Sequence, residues 1–150
     1  MNQQPTLPVR FTHPSAELPT RAHPTDAGLD LYAAETVHII PNQVTLVPTG
    51  VAVAIPAGHV GLLIARSSLA AKKSMTLANG VGVIDPDYRG EIKAPIIPLD
   101  GCHNLIQAGQ RIAQLIIMPI ALPRLDVVAH LPETDRSTGG FGSSGSTGVK

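Results

Sequence analysis

Val51-Ala52-Val53-Ala54-Ile55 alternates larger and smaller apolar groups between the turn residues Thr49-Gly50 and Pro56-Ala57-Gly58, which predicts a short β-strand. Similar apolar runs over residues 36–40, 44–47, 59–64, 91–99, 111–118 and 125–130 predict further strands separated by turn signals. Such spacing points to a sandwich, a jelly roll or a barrel. Residues 68–73 hold the best helix candidate, with Leu69, Ala70 and Ala71 as good formers, Ser67 as a cap and Lys72 and Lys73 near the C-terminal end. Fourteen prolines and fourteen glycines, spread along the chain, leave little room for long helices, so the expected architecture is all-β with one short helix. Pro5, Pro8 and Pro14 suggest an extended N-terminal stretch that packs against a neighbour as an edge strand, or else a frayed terminus.

At 150 residues the chain is long enough for one cored domain and too short for two. Eleven basic and eleven acidic side chains cancel, so no general attraction to a nucleic-acid polymer or an anionic membrane is expected. Cys102 stands alone and cannot form an internal disulfide, no apolar run is long enough to span a bilayer, and the first eleven residues lack a signal peptide's apolar segment. A cytoplasmic protein is the expectation. The only aromatics are Phe11, Tyr32, Tyr88 and Phe141, so the core must be aliphatic, and an apolar fraction of 43% leaves a surplus suited to a subunit interface.

Several segments carry candidate chemistry. In Asp26-Ala27-Gly28-Leu29-Asp30 two carboxylates flank a glycine; they either close local turns or, at Asp30, position metal-bound water for a magnesium ion shared with substrate phosphates. Arg66 ahead of the helix combines a cation with unpaired N–H groups, a geometry for phosphate or an ordinary capped surface turn. Gly80 to Glu91 reads as a β-hairpin with arms at residues 82–85 and from Arg89 onward. Its bare glycine backbone could present N–H and C=O groups to a planar base, Asp85 could take a proton from water, and Tyr88 could lie flat on a sugar; a plain Asp-Pro-Asp-Tyr turn is the alternative. Gln114, an amide among Ile112, Ala113, Leu115 and Ile116, must find a partner, either phosphate or a backbone carbonyl. The Gly/Ser tail from Arg136 includes one guanidinium and the flat face of Phe141, which suits a lid over a ligand with a phosphate end and a ring end; a flexible linker would share the composition. His13, His23, His38, His59, His103 and His130 show no metal-ligand spacing, and neither a Walker loop nor a dinucleotide-binding glycine fingerprint is present.

Taken in order, Asp26-Ala27-Gly28-Leu29-Asp30-Leu31, Ala65-Arg66-Ser67-Ser68-Leu69-Ala70, Gly82-Val83-Ile84-Asp85-Pro86-Asp87-Tyr88-Arg89-Gly90-Glu91, Gly109-Gln110-Arg111-Ile112-Ala113-Gln114 and Arg136-Ser137-Thr138-Gly139-Gly140-Phe141-Gly142-Ser143 resemble the five motifs of the trimeric dUTPases. The resemblance implies a jelly-roll-like β-clip domain over residues 1–135 and a flexible C-terminal lid over residues 136–150, assembled as a homotrimer with exchanged C-terminal arms. It implies hydrolysis of dUTP to dUMP and pyrophosphate with Mg2+, which keeps uracil out of DNA and supplies dUMP for thymidylate synthesis. By the same resemblance Asp85 activates water and Asp30 organises the metal and water network through water, the metal being held mainly by substrate phosphates. Asn79, Gly82, Val83 and Ile84 would read uracil, and Tyr88 would pack on deoxyribose. Arg66, Ser67, Ser68 and Gln114 would bind phosphates, joined by Arg136, Ser143 and Ser144 from a neighbour's tail, with Gly142 in the same stretch and Phe141 covering the base. Ser68 and Ser137 stand where the family has glycine. Two rival readings are a dCTP deaminase, which shares the fold but depends on a glutamate in the third segment and lacks this tail, and a nucleotide-dependent binding protein.

Overall fold

The computed structural model describes residues 6–135, 137 and 138. Eleven strands and one helix follow in order: β1 Val9–Phe11, β2 Leu29–Tyr32, β3 Val37–Ile39, β4 Thr45–Pro48, β5 Val51–Val53, β6 His59–Ala65, α1 Ser67–Lys73, β7 Met75–Leu77, β8 Val81–Ile84, β9 Lys93–Pro98, β10 Asn104–Ile106 and β11 Arg111–Pro119. The expected β fold with one short helix is what the described residues form. None of their helices is long and apolar enough to cross a membrane.

Every strand pairing is antiparallel, in sheets ordered β2-β11-β6-β8, β4-β9-β7, β1-β5 and β3-β10. The period of two decides which side chains fill the core: in β9, Ala94, Ile96 and Pro98 are buried while the intervening residues are not. Ile96 meets Ile39, Val47, Leu77, Ile106, Ile112 and Leu115 in one aliphatic cluster whose members are almost completely buried. Burying side chains of this size contributes about 1.5–3 kcal/mol each by transfer, so aliphatics alone can sustain the core.

Four expectations change. Residues 125–130 form no strand: the apolar alternation is there, but nothing in the described chain pairs with it, and Leu125 and Val127 are exposed. The arms of the expected 80–91 hairpin do not pair with each other. β8 instead lies along β6, with Ile84 opposite Gly61 and Val81 opposite Ile64, while the chain after Arg89 crosses to a different sheet as β9. The helix begins one residue early, with Arg66 at its cap and no side-chain capping bond, so Ser67 is helical rather than a cap. It ends at Ser74 in a left-handed conformation whose N–H returns to Ala70 O, beside Lys72 and Lys73 in the last turn. The N-terminal stretch forms an edge strand, β1, but within the described residues it pairs with β5 of its own chain rather than with a neighbour.

Candidate active site

The buried carboxylate of Asp30, only 4% exposed, is the one charged group in the core of the described residues. It lies on β2 opposite Gln114 of β11. In a regular strand Arg111 and Gln114, three apart, would point to opposite faces. A register shift between Arg111 and Ala113 sets three residues of β11 against two of β2, so Tyr32 faces Arg111 and Leu31 faces Ala113. The bulge resets the alternation and turns both polar side chains toward Asp30. Gln114 Nε2 donates to Asp30 Oδ1 at 3.3 Å and Arg111 Nη1 to Oδ2 at 3.2 Å. Gly28 makes room, since a Cβ there would sit 3.1 Å from Gln114 Cβ and 3.2 Å from Oε1.

A third partner comes from the end of β6. Arg66 Nε lies 2.9 Å from Asp30 Oδ1 as an ion pair, yet the contact is not aligned as a hydrogen bond and Nε is buried without one. Arg66 Nη1 reaches Ser68 Oγ at 3.4 Å. One anion thus holds two guanidiniums and an amide, and Arg66, Ser68, Lys72, Lys73, Gln110 and Arg111 line a cationic depression of about 550 Å3. Four positive side chains around one depression fit an oligophosphate. Within the chain the amide of Gln114 finds the Asp30 carboxylate and not a backbone carbonyl. Arg111 is the member of this ring that the sequence reading left without a role. Only the bulge makes it a neighbour of Asp30.

A second depression, of about 280 Å3, lies on the far side of β8 and takes in Leu63, Asn79, Gly82, Val83, Ile84, Asp85, Tyr88, Glu91 and Lys93. β8 is the edge of its sheet, so one row of its N–H and C=O groups lacks a strand partner. Gly82 keeps that strand close-packed, as a Cβ there would meet Leu63 Cβ at 3.1 Å. The exposed Asp85 follows the last residue of β8, and its backbone carbonyl accepts the Tyr88 N–H at 3.2 Å to close the turn. Tyr88 Oη donates to Glu91 O at 2.9 Å, holding the ring at the pocket rim. Asn79, Gly82, Val83, Ile84, Asp85 and Tyr88 therefore line one depression.

The two depressions are not together on one chain. Asp85 falls opposite Val60 by the β6–β8 register, while Arg66 is six residues farther on, just past the end of β6. At about 3.3 Å per residue the separation is roughly 20 Å. A nucleotide whose α-phosphorus sat beside Asp85 would not bring its phosphates to Arg66 of the same chain. Arg136, Phe141, Gly142, Ser143 and Ser144 lie outside the described residues.

No three His, Cys, Asp or Glu side chains among the described residues converge as a metal cage. Asp30 already faces two arginines and Gln114. That donor set fits a magnesium ion carried by phosphates and touched through water, and does not fit one ligated directly by Asp30.

A family model for dUTPase matches residues 14–145. A deoxyuridine 5'-triphosphate nucleotidohydrolase of Rhodococcus erythropolis is 44% identical over 146 residues, 97% of this chain and 89% of the relative. One of Mycolicibacterium vanbaalenii is 50% identical over 146 residues, 93% of this chain and 95% of the relative. Among solved structures, a variant of the Staphylococcus bacteriophage 80alpha dUTPase with dUpNHpp superposes with a TM-score of 0.87 at 34% identity, covering 95% of this chain and 99% of that one. A variant dUTPase from phage phi11 of S. aureus, described for the coordination of a structural Mg(II) ion, gives a TM-score of 0.78 at 33% identity, covering 84% and 98%.

Proposed function

The chain belongs to the dUTPase family, and from that premise we propose that it hydrolyses dUTP to dUMP and pyrophosphate, with the base and sugar held at the β8 pocket and the phosphates at the Asp30 ring of a second subunit. The observation that carries the reading is the pocket in which a bare edge strand, Asp85 and Tyr88 converge. A strand edge offers uracil the donor and acceptor row a pairing strand would offer. A wall at Gly82, Val83 and Ile84 leaves no room for thymine's methyl. Tyr88 covers the deoxyribose and excludes a 2′-hydroxyl.

The chemistry is an in-line displacement at phosphorus, which needs charge neutralisation and placement more than covalent help. Asp85 takes a proton from a water molecule as that water's oxygen bonds to the α-phosphorus. The bond from the α-phosphorus to the α–β bridging oxygen breaks, and pyrophosphate leaves with that oxygen. Arg66, Ser67 and Ser68 receive the phosphates, and Asp30 holds Arg66 in place. The phosphates, and Asp30 through water, would hold a magnesium ion, which would supply neutralisation of part of the phosphate charge.

The roughly 20 Å between Asp85 and Arg66 supports a site assembled across subunits, and with it the homotrimer. So does the segment after β11: it leaves the body at Ile120, whose N–H bonds Gly58 O, and carries the exposed apolar residues Leu122, Leu125, Val127 and Leu131. Such an arm is stable only against another surface. It would carry residues 136–150 to a neighbour, where Arg136, Ser143 and Ser144 meet phosphate, Gly142 gives close backbone approach and Phe141 covers the base.

Hydrolysis in 18O-enriched water tests the position of attack. The label is expected in dUMP and absent from pyrophosphate, as read by mass spectrometry. Label in pyrophosphate would place the attack on the β-phosphorus and remove Asp85 from the role given to it.

A further inference from the structure

We infer that Gly90 is the positioning residue for Tyr88 and through that ring sets the preference for deoxyribose over ribose; the inference rests on the reading of Tyr88 given above. Gly90 is not among the described glycines with positive φ, which are Gly50, Gly58, Gly80, Gly101 and Gly109. Its backbone would accept any L-residue. What requires a glycine is the ring. The hydrogen bond from Tyr88 Oη to Glu91 O folds the side chain back across residue 90. A Cβ on Gly90 would overlap Tyr88 Oη and lie 2.6 Å from Cζ and 2.9 Å from Cε2, distances that carbon atoms do not tolerate.

The backbone on either side is tied down, so the ring is the part that yields. Tyr88 N–H donates to Asp85 O. Arg89 Nη1 donates to Pro86 O at 2.6 Å and to Tyr88 O at 3.0 Å, and Arg10 Nη2 reaches Arg89 O at 3.3 Å. Glu91 Oε1 accepts the Gly50 N–H at 2.8 Å. Tyr88 itself is 47% exposed, so its ring can swing to solvent at little cost to the fold. A side chain at position 90 would thus leave the turn intact and remove the surface that screens the 2′ position.

The test is a set of four proteins, wild type, Gly90→Ala, Tyr88→Ala and the double variant, each assayed for kcat/KM on dUTP and on UTP. Rejection of one added hydroxyl by packing reaches about 100-fold, so Gly90→Ala is expected to lower the dUTP to UTP ratio by about 10- to 100-fold with little change in melting temperature. The double variant is expected to match Tyr88→Ala, because position 90 acts only through the ring and has no further effect once the ring is gone. A Gly90→Ala ratio equal to wild type, beside a reduced ratio for Tyr88→Ala, would overturn the role of Gly90 while leaving that of Tyr88. An unchanged ratio in Tyr88→Ala would remove the reading of Tyr88 and the inference with it. Ring placement has its own readout. With no tryptophan and only two tyrosines, Tyr32→Phe leaves Tyr88 as the sole tyrosine fluorophore. Gly90→Ala in that background is expected to raise its quenching by iodide, and unchanged quenching would contradict the displacement.

Discussion

Asp85→Asn is expected to lower kcat on dUTP by about a thousandfold while KM, binding of a non-hydrolysable dUTP analogue and melting temperature stay close to wild type. The amide keeps the size and most of the hydrogen-bonding capacity of the carboxylate but cannot take water's proton as the bond to phosphorus forms. General-base assistance is worth about 100- to 10,000-fold, and an enzyme that depends on one such group loses most of that range. Stability should be spared because Asp85 is exposed at the rim of the pocket and the turn it begins is closed by its backbone carbonyl. Steady-state pyrophosphate release and equilibrium binding, measured on the same preparation, separate the two effects. A variant with normal turnover would move the base elsewhere.

Asp30→Asn is expected to damage stability and activity together. It leaves the guanidiniums of Arg66 and Arg111, with side chains 21% and 44% exposed, facing one another without the anion between them. Breaking a fully buried pair costs about 3–5 kcal/mol, and the partial exposure of Arg111 reduces this to about 2–4 kcal/mol by screening. For a chain of this size that corresponds to a melting temperature lower by about 5–15 °C. Arg66 would lose its orientation at the head of α1, and since misplacement by about 1 Å can cost about 100-fold, kcat/KM on dUTP should fall at least that far. Thermal unfolding and steady-state kinetics check both numbers. A variant as stable as wild type would mean that the ring around Asp30 is not a structural unit.

The strands whose apolar run is bounded by turn residues, such as β5 and β6, were legible because run and pairing overlap in them, although β5 stops at Val53 short of the expected Ile55. Met75–Leu77 and Asn104–Ile106 were not, being only three residues each, too short for a period to register. Leu29–Tyr32 was hidden for another reason. Its polar member, Asp30, reads as a turn residue until the partners that stabilise it in the core are known. The segment at 125–130 shows the converse error, since alternation predicts a strand only where an edge is available to receive it. In the hairpin, Asp85-Pro86-Asp87-Tyr88 does make a turn, but Ile92 N–H bonds Val51 O and Ile92 O accepts from Thr49, so the second arm leaves for another sheet. Of the site, Asp85, Tyr88 and the bare strand were readable as chemistry-bearing residue types. Arg111 was not, because three-residue spacing from Gln114 puts it on the wrong face unless a bulge intervenes.

The most direct test of the account is pyrophosphate release from dUTP, dTTP, dCTP and UTP, measured side by side with magnesium on wild type and on Asp85→Asn. Release from dUTP is expected far above that from the other three, with near-complete loss in the variant. Comparable release from dTTP or UTP would contradict the pocket's reading of base and sugar, and release from no nucleotide at all would contradict the hydrolytic function itself.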